Sequence, residues 1–417
     1  MLLLLRHSQF RTFWIAGAFG DVSLLAYFAV HGWLVLQITD SPWWVGISSF
    51  LGGLTMVVFS PIGGVVIDRA KKVRAVQIAG LFRGIGAAVI AALIFSDSVQ
   101  LWHVLLFPVA SGITASVRIP GLMALSLDIV GRKRLVSATA ARVASMMVMG
   151  VIVPLTVGRL VDGAGMGWAY VAMAAGDLIS VGLLTLVNPP SRKRTEESSP
   201  FQDLKEGALY SLKSPLVRTL LGAILINELF GWSHEPMLPV MARDVLGMGV
   251  TGLGNLIAAG SMGAAVTSVV LSGFENPRKK GLLLVAGMFG YGFFLLLFSL
   301  SRSVPISLAM LGLAYGTAMI YETMVNTMLQ TGVPYDMRGR VLSFQSMLWG
   351  VTGMTGFHTG ALATFFGAPL ALGVGAVIVM LNAIRIIPRA QGVEREAGFG
   401  MEETEDSASV SSASSSD

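Results

Sequence analysis

The sequence contains no cysteine and few charged residues. Of its 417 residues, 13% are Asp, Glu, Lys or Arg, whereas a soluble domain carries about a quarter. The absence of cysteine excludes disulfides and thiolate metal sites but leaves the compartment undecided. The opening residues MLLLL follow no basic segment and are too short for the apolar core of a signal peptide, so we expect none.

Motifs of catalysis and nucleotide binding are also missing. The sequence has no HExxH, no Gly-x-Ser-x-Gly and no GxxxxGK[ST], and each of these would be needed for a common class of hydrolase or ATPase. His234-Glu235 lacks the second histidine of a zinc site. We therefore expect no enzyme activity, no cofactor and no metal, and packing roles for the five histidines.

The sequence has long apolar runs instead. Apolar residues make up 54% of the chain, and its mean hydropathy is +0.71. Charge clusters and turn residues separate twelve runs, each near the ~20 residues that cross a bilayer as a helix. The limits of the runs are 12–36, 43–67, 75–96, 101–126, 136–160, 167–187, 216–240, 250–273, 281–300, 304–329, 341–364 and 366–387. The predicted fold class is an all-α membrane protein with twelve transmembrane helices, since barrel strands would alternate over about 10 residues.

Two polar segments interrupt this pattern. Residues 188–215 are charged and punctuated by proline, and residues 388–417 are acidic and rich in serine. The first predicts a linker and the second a disordered tail. The predicted domains are a six-helix bundle over 1–187, a cytoplasmic linker over 188–215, a second six-helix bundle over 216–387 and the tail.

The basic residues predict the orientation. Most of the 29 Lys and Arg lie in loops on the same side as the N-terminus, and such loops face the cytoplasm. We therefore expect a multi-pass protein of the cell membrane with both termini in the cytoplasm. Because these charges are dispersed over many loops, they argue against nucleic acid as a partner.

The two halves of the chain resemble each other at a spacing of about 207 residues. Arg11-Thr12 recurs as Arg218-Thr219, and the RKRLVS segment from Arg132 recurs as RGRVLS from Arg338. Paired halves predict a pseudo-twofold membrane protein with a working cavity between them. Asp21 and Glu228 are related by the same spacing, so we expect both to face that cavity.

Particular motifs resemble the major facilitator superfamily. The pattern Gly64-x-x-x-Asp68-Arg69-x-Lys71-Lys72 resembles its signature between the second and third helices. Residues 326–343 and the start of the chain resemble one branch, which includes the enterobactin exporter and macrolide efflux proteins. The resemblance implies a secondary transporter built from two six-helix bundles.

The resemblance also implies a gate on the cytoplasmic side. In that family the second helix packs against the eleventh, where Gly63 and Gly64 permit close approach. Asp68 would meet the positive N-terminal end of the eleventh helix. The predicted gate consists of Gly64, Asp68, Arg69, Arg338 and Arg340. For the neighbouring basic residues Lys71, Lys72 and Arg74, the favoured alternative is that they only fix the topology.

Acidic residues within the predicted spans are the candidates for coupling. A carboxyl group in a poorly hydrated cavity can bind and release a proton near neutral pH. Asp21 and Glu228 are the first choices, with ion pairing or helix packing as the alternative. Glu322 is next, although an arginine could pair with it. Glu235 is expected near the outer surface, and the role of Asp177 is left open.

Further candidates for the cavity are basic and aromatic. Arg118 and Arg142 either pair with structural acids such as Asp128 or extend to the inner surface, or they contact an anionic substrate or act as a movable partner for Asp21. Tyr27, Phe230 and Trp232 either line an adaptable pocket or pack in the core and against lipid.

The predicted function is proton-coupled efflux of amphipathic small molecules, drug-like or siderophore-like, by alternating access. The alternatives are uptake or facilitated diffusion by the same fold, and a non-transporting receptor or intramembrane enzyme. The expected partners are a small-molecule substrate, protons and the lipid bilayer, and the expected state is a monomer.

Overall fold

The computed structural model describes residues 6–131, 134–189, 200–274 and 279–389. Within these ranges the side chains of Asp68, of residues 200–205 and of several positions between 335 and 349 lie outside the description. The middle of the predicted linker, 190–199, and the predicted tail from residue 390 lie wholly outside the described residues.

The described chain consists of helices joined by short turns. The first six are α1 Ser8–Thr39, α2 Pro42–Arg69, α3 Lys72–Phe95, α4 Leu101–Val130, α5 Leu135–Ala164 and α6 Met166–Leu184. A shorter helix, α7 Pro200–Lys213, follows. The remainder are α8 Pro215–Val245, α9 Val250–Ser272, α10 Lys280–Leu300, α11 Val304–Gly332, α12 Tyr335–Met354, α13 Gly356–Phe366 and α14 Ala368–Arg389.

The all-α fold with many potential membrane spans is confirmed. Among the described residues, eleven helices are long and apolar enough to cross a membrane. The predicted span 341–364 is formed by α12 and α13 together, which are separated at Thr355. Several helices extend beyond their predicted limits because polar residues at the ends of an apolar run remain helical; α4, for example, continues to Val130.

Proline and glycine fix several helix boundaries. Pro42 occupies the first turn of α2, where backbone N–H groups have no partner within the helix, so its missing N–H costs no hydrogen bond. Gly165 has a φ of 98°, a conformation that a side chain would disfavour. This single residue separates α5 from α6, and the two helices therefore run in opposite directions.

Alternation of helix direction places successive loops at opposite ends of the molecule. We call the end that holds the C-terminus of α2 the Arg69 side and the end that holds the C-terminus of α1 the Asp40 side. Helices α1–α6 pack on one another, and α11 packs on both α9 and α10. Two seams join these groups, α2 against α12 and α13, and α5 against α9. The division into domains at 188–215 stays a prediction.

Glycines bring both seams into close contact in the half of the molecule nearer the Asp40 side. A Cβ atom on Gly53 of α2 would lie 2.5 Å from the backbone of Gly353 in α12. A Cβ atom on Gly158 of α5 would lie 2.9 Å from the carbonyl oxygen of Val250. Residues without side chains are therefore required for the backbones to approach so closely.

Candidate functional site

A cavity of about 440 Å³ lies between the two groups of helices. Its wall includes residues of α1, α2, α3 and α4 on one side and of α8, α9, α11 and α12 on the other. Most of the wall is apolar. Its polar and aromatic members include Tyr27, His31, Ser48, Arg83, Glu228, Trp232, Glu235, Tyr315, Glu322 and Thr352.

Three carboxyl groups face this cavity, and all three come from α8 and α11. Glu228 accepts a hydrogen bond from the Thr352 hydroxyl, and Glu235 lies 3.2 Å from the Tyr315 hydroxyl. In the described part of the chain, none of the three glutamates forms an ion pair. The α8 and α11 side of the cavity therefore presents acidic groups that no cation neutralises.

The irregular course of α8 places two of these carboxyl groups. A π-helical turn spans Asn227–Gly231, and a 3₁₀ segment follows at Trp232–Met237. Pro236 removes one backbone donor from this region. Such interruptions inside helices occur frequently at functional sites. Here they coincide with the part of α8 that lines the cavity.

The charges of α1–α6 are arranged differently, because they pair with one another. Asp177 is fully buried and accepts from Arg83 at 2.8 and 2.9 Å and from Arg118 at 2.7 Å. The Arg142 guanidinium lies 3.4 Å from the Asp21 carboxylate. Of these five residues only Arg83 reaches the cavity wall.

The structure thus separates the two carboxyl groups that the repeat relates. Glu228 lines the cavity, whereas Asp21 is buried outside its wall and paired with Arg142. This placement favours the ion-pair alternative for Asp21. Arg118 and Arg142 likewise lie outside the cavity wall, paired with Asp177 and Asp21.

The remaining predicted cavity residues divide between the wall and the core. Tyr27 and Trp232 line the cavity. Phe230 lies outside the wall, with its ring centroid 5.4 Å from that of His358. Glu322 lines the cavity and forms no ion pair with an arginine in the described chain, although pairing was considered from the sequence.

Glu235 joins Glu228 and Glu322 in the cavity wall. It was expected near the outer surface, but it lines the central cavity beside Trp232. Glu235 belongs to the 3₁₀ segment, which changes the angle between successive side chains. The nearby prolines and glycines were the available signal in the sequence.

One member of the predicted gate, Gly64, has open space beside it in this structure. Nothing lies within 4 Å of the position that a Cβ atom would take there, and Gly63 packs on Ser116 of α4 rather than on the eleventh span. The close approach of α2 to α12 and α13 occurs instead at Gly46 and Gly53. The expected glycine contact is therefore on the opposite half of α2.

The charged members of the predicted gate lie on the Arg69 side. Arg69 is exposed. The Arg338 guanidinium donates to the carbonyl oxygen of Val333 at 3.4 Å, and Arg340 lies 3.0 Å from Glu206 of α7. The Asp68 side chain lies outside the described residues, so its contact with the eleventh span stays a prediction.

Polar contacts join the two groups of helices on the Asp40 side. Arg243, near the end of α8, pairs with Asp40 and donates to the carbonyl oxygen of Leu36 at 3.2 Å. Asp162 of α5 accepts from the backbone N–H of Thr251 at 3.1 Å. Together with the glycine seams, these contacts hold the Asp40 side closed.

An all-helical fold with a central cavity between two groups of apolar helices defines a membrane transporter of the major facilitator type. A family model described as "Transmembrane secretion effector" matches residues 2–399. The chain belongs to this family, and it is a multi-pass membrane protein.

Curated relatives and solved structures agree with this assignment. The chain is 29% identical over 364 residues to the enterobactin exporter EntS of Escherichia coli O1:K1. The aligned region covers 86% of this chain and 85% of the relative. The same values hold for EntS of Shigella boydii serotype 18.

Two solved structures share the fold at low sequence identity. An inward-facing, unoccupied bacterial homologue of the human lysosomal transporter Spinster has a TM-score of 0.70 and 14% identity, covering 94% of this chain and 97% of that one. A POT family transporter in complex with 5-aminolevulinic acid has a TM-score of 0.72 and 12% identity, covering 92% and 96%.

Proposed function

We propose that this transporter is a secondary active exporter that exchanges protons for amphipathic small molecules by alternating access. The observation that carries the proposal is the cavity of about 440 Å³ with Glu228, Glu235 and Glu322 in its wall. Charged groups inside a membrane protein are costly unless they serve a cavity or a partner. Three acids on one cavity, none of them ion-paired among the described residues, are best explained by a role in binding and coupling.

The chemistry of the wall favours substrates that are positively charged as well as apolar. Tyr27, Trp232 and Tyr315 contribute aromatic faces, which attract cations as well as apolar groups. Among the described residues of the wall, the one Lys or Arg side chain is Arg83, which is already paired with Asp177. An ionised glutamate can hold either a proton or a cationic substrate, and this competition would couple the two fluxes.

Alternating access requires a cavity that is closed on one side at a time. The closed Asp40 side is the outer side if both termini lie in the cytoplasm, as the distribution of Lys and Arg predicts. This arrangement supports a cavity that loads from the cytoplasm. The similarity to EntS, which is an enterobactin exporter, supports the same direction.

The test is transport of a fluorescent lipophilic cation into inside-out vesicles under an imposed pH gradient. Wild-type protein should accumulate the cation, and Glu228→Gln should abolish gradient-driven accumulation while remaining folded. Asp97→Asn is the matched control, because Asp97 is exposed and has a φ of 52° that asparagine tolerates.

Two outcomes would change the proposal. Accumulation only when the gradient is inverted would favour uptake by the same fold. Equal rates in wild type and Glu228→Gln would remove this carboxyl group from coupling. Transport by monomeric protein without added cofactor is expected in either case.

A further inference from the structure

A buried histidine lies behind the cavity wall, joined to it through a tyrosine. The ring of His234 is fully buried. Its Nδ1 atom lies 2.9 Å from the carbonyl oxygen of Gly231, and its Nε2 atom lies 3.2 Å from the Tyr315 hydroxyl. The same hydroxyl lies 3.2 Å from Oε1 of Glu235, which faces the cavity.

The break in α8 brings these groups together. His234 and Glu235 are adjacent residues of the 3₁₀ segment, and Tyr315 belongs to α11. Gly231 is needed at the turn, because a Cβ atom there would lie 2.5 Å from the ring of Tyr291. The ring of Tyr315 packs against Gly260 of α9. The contact thus depends on the relative positions of three helices.

The protons available to these contacts can be counted. A carbonyl oxygen only accepts, so Nδ1 of His234 must carry a hydrogen toward Gly231. Tyr315 has a single hydroxyl hydrogen but lies between two atoms that both accept when Glu235 is ionised and His234 is neutral. In that state only one of the two contacts can be a hydrogen bond. Both are satisfied only when the group holds one additional proton.

The additional proton can occupy either end of the group. With Glu235 protonated, its O–H donates to the Tyr315 oxygen and the tyrosine donates to Nε2. If the carboxyl proton passes to the tyrosine oxygen while the tyrosine proton passes to Nε2, an ionised Glu235 and a cationic His234 result. One O–H bond is lost at Glu235, one N–H bond is gained at His234, and the tyrosine is restored.

We propose that Glu235, Tyr315 and His234 form a proton relay that carries a transported proton between the cavity and the protein interior. The inference rests on the proposed function, because it assigns the coupling proton to a particular group. It gives His234 a role beyond packing. Glu228 and Glu322 then remain available to bind the substrate.

The surroundings of the relay include several other titratable groups. Tyr291 of α10 lies against His234, with ring centroids 6.3 Å apart. Glu228 of α8 and Glu322 of α11 share the cavity with Glu235, and His31, Tyr27 and Arg83 face it from the opposite wall. Tyr321 of α11 accepts from the Trp232 indole at 3.0 Å. Among the described contacts of Glu235, the hydrogen bond from Tyr315 is the only polar one.

Infrared spectroscopy of the purified protein tests the relay without any substrate. During a pH titration, wild-type protein should show either the carbonyl band of a protonated Glu235 or the ring bands of a cationic His234. Glu235→Gln should remove the first and His234→Asn the second. Tyr315→Phe should make the two groups titrate separately, because it deletes both hydrogen bonds.

Tyr291→Phe is the matched control. Its hydroxyl is buried without a hydrogen-bond partner among the described residues, so its removal should leave the titration unchanged. Spectra of Glu235→Gln and Tyr315→Phe identical to that of wild type would overturn the relay. The Tyr315→Phe result remains decisive if His234→Asn fails to fold, because phenylalanine keeps the ring in place.

Transport measurements separate the relay from the proposed function. Tyr315→Phe should lose gradient-driven accumulation at least tenfold and retain exchange of substrate across the membrane without a gradient. Retained coupling in this variant would refute the relay but leave proton-coupled export intact. Absence of transport in wild type as well would refute the proposed function, while the infrared titration would still decide whether the proton site exists.

Discussion

The two groups of helices bury charge in opposite ways. In α1–α6 the acidic groups Asp21, Asp128 and Asp177 each contact a basic side chain. On the α8 and α11 side, Glu228 and Glu235 are contacted by hydroxyl groups instead. Both groups of helices carry intramembrane acids, but among the described residues basic partners are found for the acids of the first group and not for Glu228, Glu235 or Glu322.

This difference separates a structural role from a functional one. An ion pair in a low-dielectric interior holds both partners in their charged forms, because loss of either leaves an uncompensated charge. A carboxyl group whose partner is a hydroxyl can change between its charged and neutral forms with less rearrangement than an ion pair requires, because no charged partner is left behind. We therefore interpret α1–α6 as the electrostatically fixed side of the transporter and the α8 and α11 wall as its titratable side.

The largest expected effect comes from removing the central acid of the fixed side. Asp177→Asn would leave Arg83 and Arg118 buried without their carboxylate, a change that costs about 3–5 kcal/mol. We expect loss of most folded protein, measured by yield and thermal unfolding in detergent. Asp128→Asn is the control, because its partner Lys72 is 28% exposed and can reach solvent. Equal loss in both variants would contradict the distinction.

The next effect concerns function rather than folding. Glu228→Gln should abolish gradient-driven transport with little change in thermal stability. Asp21→Asn should do the reverse, lowering stability through the unpaired Arg142 while leaving proton coupling in place. Vesicle transport and thermal unfolding of the same preparations check both. Loss of coupling in Asp21→Asn would return this residue to the transport mechanism.

A smaller effect is expected at the glycine seam. Gly353→Ala would place a methyl group 2.6 Å from Cα of Gly53, and such overpacking costs about 1–3 kcal/mol. The seam should open, exposing the cavity from the Asp40 side. Because the chain has no cysteine, an introduced Ala115→Cys in the cavity wall can report this as faster reaction with an impermeant thiol reagent. Gly64→Ala has free space around it and should leave labelling unchanged.

The smallest expected effect is at the Arg243–Asp40 ion pair. The Asp40 side chain is 84% exposed, and exposed pairs contribute about 0.2–1 kcal/mol. Arg243→Gln should raise labelling of the same Ala115→Cys reporter slightly, and the difference should shrink at high salt because the pair is screened. A change as large as that of Gly353→Ala would show that the ion pair contributes as much as the glycine seam to closing this side, contrary to the account.

Much of the fold could be predicted from apolar run length and the position of charge. The limits of α1, α10 and α14 follow from these signals because the surrounding bilayer requires long apolar helices. The break in α8 could not be located in this way, because run length and charge position do not report a change of helix type inside a span. The repeat in the sequence predicts Glu228 as a cavity residue, and Glu228 lines the cavity. Arg142, which the sequence offers as one possible partner of Asp21, lies beside it.

The missed parts of the site share a physical cause. Glu235 and His234 are placed by local departures from α-helical geometry, and the seam glycines by contacts between distant segments. Neither is encoded in the spacing of residues along one helix. The ion pairs of Arg83 and Arg118 likewise depend on which helices become neighbours, and α6 supplies their acid.

Proton release on substrate binding is the most direct test of the titratable cavity. A lipophilic cation added to purified protein in weakly buffered detergent solution should release protons from wild type and from Asp21→Asn. The variant carrying Glu228→Gln, Glu235→Gln and Glu322→Gln should release none. Undiminished release from the triple variant, or its loss in Asp21→Asn alone, would contradict the account.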